Sequence, residues 1–277
     1  MPKPKRPAVA VVGDLHANST VGLMPPQFKT GAGNVITANP DQKFLWDAWT
    51  DYCAWLDEWQ IEAIVINGDL PQGINPRDAQ TLSSDESDQV KFVLECLKPL
   101  IYQGKQKRTD YVYITRGTGF HSGKNGAREE IIAQMIGAVQ DHTGAYSRYR
   151  NLIRWRNKIL HFTHHISHAS VYPYTPLARA QREARERAAL GDYMPDVDAR
   201  SHVHVCNAIQ SNDGRWVAVA PAWQLSTEFG HKVAPASLPT IGGLLICQDE
   251  TIENQLRVLK RLYSCPRQPI LDIPSIP

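Results

Sequence analysis

The stretch Ala8-Val9-Ala10-Val11-Val12-Gly13-Asp14-Leu15-His16 decides how the chain is read. Five consecutive small or β-branched apolar residues form a run too short for a helix and suited to a strand buried on both faces. Gly13 breaks the run, and Asp14 and His16 follow two residues apart. In an extended strand end both side chains leave on the same face. One hard oxygen and one imidazole aimed together suit a divalent cation of intermediate softness.

The same phrase recurs along the chain. Residues 63–66 form a second apolar run and end in Gly68-Asp69. Residues 111–114 lead into Gly117-Thr118-Gly119-Phe120-His121, and residues 159–163 lead into His164-His165. The weaker run 197–199 precedes Ser201-His202-Val203-His204. His202 and His204 alternate on one face of a strand. His164, at a strand end, is a better ligand than His165, and His168 is weaker still. His161 lies inside its strand as a satisfied core or surface residue. Asp and His side chains delivered from several strand ends are how a protein builds a metal site with open positions.

Between these runs lie helices. Leu45, Trp49, Tyr52, Leu56 and Trp59 recur at helical spacing over residues 43–59, an aromatic stripe that reads as core. Val90, Val93, Leu94, Leu97 and Ile101 mark a second helix after the polar loop 71–87, and residues 127–139 a third. Strand and helix alternating in this way predict an α/β sheet with helices on its faces. In the second half, residues 176–190 read as a charged, exposed helix held by i,i+4 pairs. Gly191-Asp192 is its C-terminal turn. Short runs at 203–209, 215–219, 223–226 and 241–247, separated by turns such as Asn212-Asp213-Gly214, read as antiparallel strands. A last helix over 252–262 precedes a Pro-rich tail, and no linker interrupts the chain. The expected organisation is a single domain, 1–264, with a tail at 265–277. The long polar stretch 18–42 is a candidate functional loop.

Bulk properties narrow the function classes. The net charge of +2 is too small to argue for nucleic-acid binding. No apolar run approaches the ~18 residues of a membrane span. Five scattered cysteines without a Cys-x-x-Cys pair read as reduced thiols, and the N-terminus lacks a cleavable apolar segment. The expectation is a cytoplasmic protein.

Taken together and in order, these blocks resemble the calcineurin-like metallophosphoesterase superfamily. Its pattern is Asp-x-His, Gly-Asp, Gly-Asn-His, a lone His, and Gly-His-x-His. The resemblance runs from about Ala8 to Val205. It implies a four-layer α/β/β/α sandwich and a pair of divalent cations (Mn, Fe or Zn) roughly 3.5–4 Å apart sharing a water nucleophile. By the same resemblance Asp14, His16 and His204 bind one cation, His164 and His202 the other, and Asp69 bridges them. The implied activity is hydrolysis of a phosphodiester or phosphomonoester, with a nucleotide or nucleic-acid end as the substrate class. A non-catalytic binding scaffold of the same fold is the alternative.

Two blocks depart from the pattern. Ser201 replaces the glycine before the final His pair, which leaves the ligands intact. Gly117-Thr118-Gly119-Phe120-His121 stands where the family has Gly-Asn-His, whose asparagine binds the second metal and whose histidine assists the leaving group. Thr118 is a poorer ligand than an amide oxygen. His121 is assigned to the active site as its catalytic residue; it either curls into the leaving-group position, replaces the missing ligand, or caps the following helix. Asn67 reads as a turn residue rather than a ligand-orienting one. Asn18 and Arg116 lie near enough in sequence to touch a phosphate, the guanidinium being the better suited.

Overall fold

The computed structural model describes residues 4–74, 80–166, 174–233 and 237–266; His168 and the tail from residue 267 lie outside them. The first half runs β1 (Pro7–Val12), the hairpin β2 (Gln27–Lys29) and β3 (Val35–Thr37), α1 (Pro40–Trp55), β4 (Gln60–Asn67) and α2 (Glu86–Ile101). It continues through the small hairpin β5 (Tyr102–Gln103) and β6 (Gln106–Lys107), β7 (Val112–Thr115), the single-turn α3 (Gly119–Ser122), α4 (Ala127–Ile136) and β8 (Ser147–Arg148). The second half is β9 (Arg150–Trp155), β10 (Lys158–Thr163), α5 (Thr175–Ala189), β11 (Val197–Arg200), β12 (Asn207–Gln210), β13 (Trp216–Val219), α6 (Glu228–Val233), β14 (Ile241–Gln248) and β15 (Leu256–Tyr263).

Two sheets result. The first has six strands in the order β15-β14-β1-β4-β7-β8, and the second five in the order β12-β13-β11-β10-β9. β1 shows why they stack. Ala8, Ala10 and Val12 face one side and pack with Trp49 and Tyr52 of α1 and Phe92 and Leu97 of α2. Val9 and Val11 face the other side, where Leu160, Phe162, Val197 and Ala199 of the second sheet meet them. A third cluster, Leu177 and Ala180 of α5 with Val217 and Val219, covers the outer face of the second sheet. Helix, sheet, sheet, helix: the fold is the expected four-layer α/β/β/α sandwich. A strand buried on both faces needs an unbroken apolar run, which is what residues 8–12 supply.

Several elements differ from the sequence reading. α1 begins at Pro40 because Asn39 and Gln42 form a reciprocal capping box, with bonds of 2.9 and 3.0 Å, and proline occupies the first helical position. α4 stops at Ile136, before the expected 139, where Gly137 turns left-handed (φ 66°). Residues 223–226 form only isolated bridges, Gln224 pairing with Gly22. β13 joins β11 in parallel, not antiparallel; only β12 pairs with it antiparallel. The expected helix at 252–262 is a strand. β15 pairs antiparallel with β14 from Leu256↔Gln248 to Tyr263↔Ile241. There Leu256 and Val258 are buried while Arg257 between them is exposed, a period of two that the mixed Leu, Arg and Lys content disguises. The tryptophan stripe is core, with Trp49 fully buried.

Candidate metal centre

The C-terminal ends of β1, β4 and β7 from one sheet and of β10 and β11 from the other converge on a single cluster. Asp14 follows β1, Asp69 follows β4, His164 follows β10, and His202 and His204 follow β11. Three groupings among the described residues place ligand atoms within 4.8 Å of one another: Asp14–His16–His204, His16–Asp69–His121 and Asp69–His164–His202. Every metal-site residue read from the sequence is therefore in one cluster, and His121 is in it too. His165 is exposed and belongs to none of the three.

The backbone delivers these side chains differently from an extended strand end. Asp14 (φ 51°), His16 (φ 43°), Asp69 (φ 52°), His202 (φ 80°) and His204 (φ 57°) are all left-handed. For non-glycine residues this costs roughly 1–2 kcal/mol each and persists only where the surroundings enforce it. Enforcement is visible: Asp14 N–H donates to Gly68 O at 2.9 Å, and His16 N–H to Asp69 O at 3.1 Å. Gly117 is needed for contact, since a Cβ there would lie 2.1 Å from Asp69 Oδ1 and 2.3 Å from its amide nitrogen.

The donor set fits a cation. Asp14 is completely buried and its Oδ1 has no hydrogen-bond donor. Around that oxygen stand His204 Nε2 at 3.3 Å, His164 Nε2 at 3.8 Å and His16 Nε2 at 3.9 Å. His16 Nε2 and His204 Nε2 are 3.1 Å apart, closer than two unprotonated imidazole nitrogens would choose to be. Burial, then the neighbouring His121 and His204, hold His16 well below the usual imidazole range. Burial and then His164 bring His202 down to about 4. For His164, burial opposes the charged ring, yet Asp69 and Asp14 carry it up to about 10. The two buried carboxylates thus favour positive charge at this place. Two carboxylates and several imidazoles suit a divalent cation of intermediate softness.

Supporting residues tie the two sheets together. Asn67 is not a turn residue but the buried last residue of β4. Its Nδ2 donates to Thr163 O (3.1 Å) and Ser201 Oγ (2.9 Å), and its carbonyl accepts from His164 Nδ1 (2.7 Å). Ser201, which stands where the family pattern has glycine, thus links β4 to the His202 loop. Thr118 holds Asp69; its amide and hydroxyl donate to Asp69 Oδ1 at 2.7 and 3.0 Å. Arg116 is engaged with Ser147 Oγ (2.9 Å) and Glu130 (3.3 Å) and lies over the ring of Tyr149. Asn18 is buried and bonds both ways with Ser83, pinning the loop that leads into α2. His161 is a satisfied core residue: Nδ1 donates to Asp198 at 2.9 Å and Nε2 accepts from Arg150 at 3.0 Å.

One carboxylate escaped the sequence reading. Glu129, in the first turn of α4, is fully buried and accepts from Gly117 N–H (2.7 Å) and Leu70 N–H (3.3 Å). It holds the two loops that present Thr118 and Asp69. Burial, then the nearby Asp69, push its pKa up to about 7. Acidic residues in a first helical turn are ordinary surface features, so nothing in the local sequence marks it.

No family model and no curated protein matches the chain. Solved structures do. An archaeal phosphodiesterase is similar at 9% identity, over 92% of this chain and 99% of that one, with a TM-score of 0.45. Vacuolar Protein Sorting 29 from Cryptosporidium parvum is similar at 11% identity, over 94% and 100%, with a TM-score of 0.46. Vps29 from Entamoeba histolytica, complexed with zinc, is similar at 12% identity, over 92% and 98%, with a TM-score of 0.39. The layer order stands on the chain's own sheets and cores, and the chemistry on its own residues.

Proposed function

We propose that the protein is a phosphoesterase dependent on two divalent cations, with Mn, Fe or Zn as the candidates. Asp14, His16 and His204 hold one, His164 and His202 hold the other, and Asp69 stands between them. The observation that carries this reading is Asp14 Oδ1, a buried carboxylate oxygen with no donor and three imidazole nitrogens 3.3 to 3.9 Å away. An unpaired buried carboxylate oxygen is costly, and a cation is the partner that such a set of lone pairs asks for.

When bound, the cations supply Lewis acidity and a water nucleophile active near neutral pH. The chain's own part is to hold the carboxylates and imidazoles in place. Thr118 and Glu129 fix Asp69 from one side, and Asn67 fixes His164 from the other. Phe120, 52% exposed, sits with its ring 4.8 Å from that of His121 and offers a stacking face to a base or aryl group. This supports a nucleotide or nucleic-acid end as substrate. Arg116, engaged with Glu130 and Ser147, is not counted among the substrate contacts. Among the described residues no helix is long and apolar enough to cross a membrane.

The test is hydrolysis of p-nitrophenyl phosphate and bis-p-nitrophenyl phosphate by metal-free protein resupplied with Mn, Fe or Zn. Asp69→Asn is expected to lower the rate at least 100-fold. Protein that takes up none of these metals, or that binds them and hydrolyses neither ester, sinks the phosphoesterase reading and favours the binding scaffold.

A further inference from the structure

The ring of His121 stands at 81° to that of His16 with centroids 4.4 Å apart. One ligand atom of each of His121, His16 and Asp69 lies within 4.8 Å of the others. The other side of the ring is occupied: Nδ1 is 2.5 Å from the carbonyl oxygen of Gln72. A carbonyl oxygen only accepts, so Nδ1 is a donor here and Nε2 is the ring nitrogen left to meet a cation.

His164 is arranged in the same way. Its Nδ1 donates to the carbonyl of Asn67 at 2.7 Å, and its Nε2 faces Asp69 at 3.0 Å. Both carbonyls belong to the end of β4 and the loop that leaves it. Anchoring the far N–H on a carbonyl, which leaves the near nitrogen to take a cation once any proton there is displaced, is the habit of metal-binding imidazoles. A leaving-group acid would keep the same Nδ1–H and carry a second proton on Nε2, so the two roles part on what the ring faces, and here it faces the ligand atoms of His16 and Asp69.

We propose that His121 is a metal ligand and not the leaving-group acid; this rests on the two-cation reading above. It groups with His16 and Asp69, whereas His164 and His202 group with Asp69 apart from it. His121 therefore serves the cation held by Asp14, His16 and His204, and does not replace the asparagine that the family pattern gives to the second cation. The extra two residues of the Gly-Thr-Gly-Phe-His block make this reach possible, because they form the single turn Gly119–Ser122 that carries the ring inward. One cation then has Asp14, His16, His121, His204 and a share of Asp69. The other has His164, His202 and the remaining share. The two sites differ in affinity, the His121 side being the tighter.

The experiment is calorimetric titration of the metal-free full chain with Mn(II), for wild type, His121→Ala and His121→Gln. It is paired with rates on an aryl phosphodiester and on an alkyl phosphodiester, whose leaving group needs a proton. The expected result is two unequal binding steps in wild type and at least a tenfold loss in the tighter one for His121→Ala. Aryl and alkyl rates should fall by the same factor. His121→Gln, whose amide oxygen can ligate but cannot serve as an acid, should recover part of the affinity and of both rates. The proposal is overturned if His121→Ala binds both cations as wild type does while losing 10²- to 10⁴-fold on the alkyl ester alone. In that case the two-cation reading survives. Wild-type protein that binds no cation would remove both.

Discussion

Replacing Glu129 by glutamine keeps the shape of the side chain and removes its ability to titrate. The carboxylate accepts from two backbone N–H groups, at 2.7 and 3.3 Å. Glutamine has one acceptor oxygen, so its amide nitrogen must face the other N–H, at a cost of about 1–3 kcal/mol. The charge acts separately. Burial and Asp69 raise the folded-state pKa to about 7 from the usual 4.5. The folded protein thus binds more protons than the unfolded chain between pH 4.5 and 7, and its stability falls as pH rises through that window. At 1.36 kcal/mol per pH unit, the gap from 4.5 to about 7 corresponds to about 3 kcal/mol. Wild type should lose this amount across the window relative to Glu129→Gln, so the variant gains on it as pH climbs. Urea unfolding of the metal-free proteins, followed by tryptophan fluorescence at closely spaced pH values, reads the difference directly. Parallel curves for the two proteins would refute the account of Glu129 as a buried carboxyl held near neutrality. Added cations beside Asp69 favour the anion and should narrow the window.

Gly117→Ala drives a Cβ into Asp69, 2.1 Å from Oδ1, and should lower cation affinity at least tenfold; unchanged Mn(II) titration would contradict the packing described. Asp198→Ala strips the buried Arg200 of bonds of 2.7 and 2.9 Å and His161 of its acceptor. It should cost about 3–5 kcal/mol in urea unfolding, and a loss under 1 kcal/mol would show the network to be relaxed. His164 carries a proton below about pH 10 in the metal-free protein, and a cation must displace it. Affinity for Mn(II) should therefore rise with pH between about 6 and 9, with proton release visible as buffer-dependent binding heat; pH-independent affinity would argue that His164 is not a ligand.

Much of this arrangement could be read from the chain because it rests on strands buried on both faces. β1 and β4 appear as unbroken apolar runs, and the polar residues after them mark where the sheet ends. What stayed hidden has physical reasons. β15 mixes Leu, Val, Arg and Lys so that its period of two is easily taken for a helical face. The left-handed turns at Asp14, His16, His202 and His204 are imposed by bonds to other loops, such as Asp14 Oδ2 accepting from His202 N–H at 3.1 Å, and no local propensity announces them. Glu129 looks like a solvated helix start until α4 packs beside the Asp69 loop. Asn67 looked like a turn because glycine follows it, yet its amide spans the two sheets.

That bridging has a consequence for biogenesis. Asp14, Asp69 and His121 come from the half of the chain made first, and His164, His202 and His204 from the half made later. No nascent fragment ending before residue 202 possesses either of the proposed coordination sets whole, and strands β14 and β15 still have to return beside β1 after that point. On the proposed two-cation reading, metal loading would therefore be a late event that reports on docking of the two halves, and cation uptake would serve as a clock for the final stage of maturation.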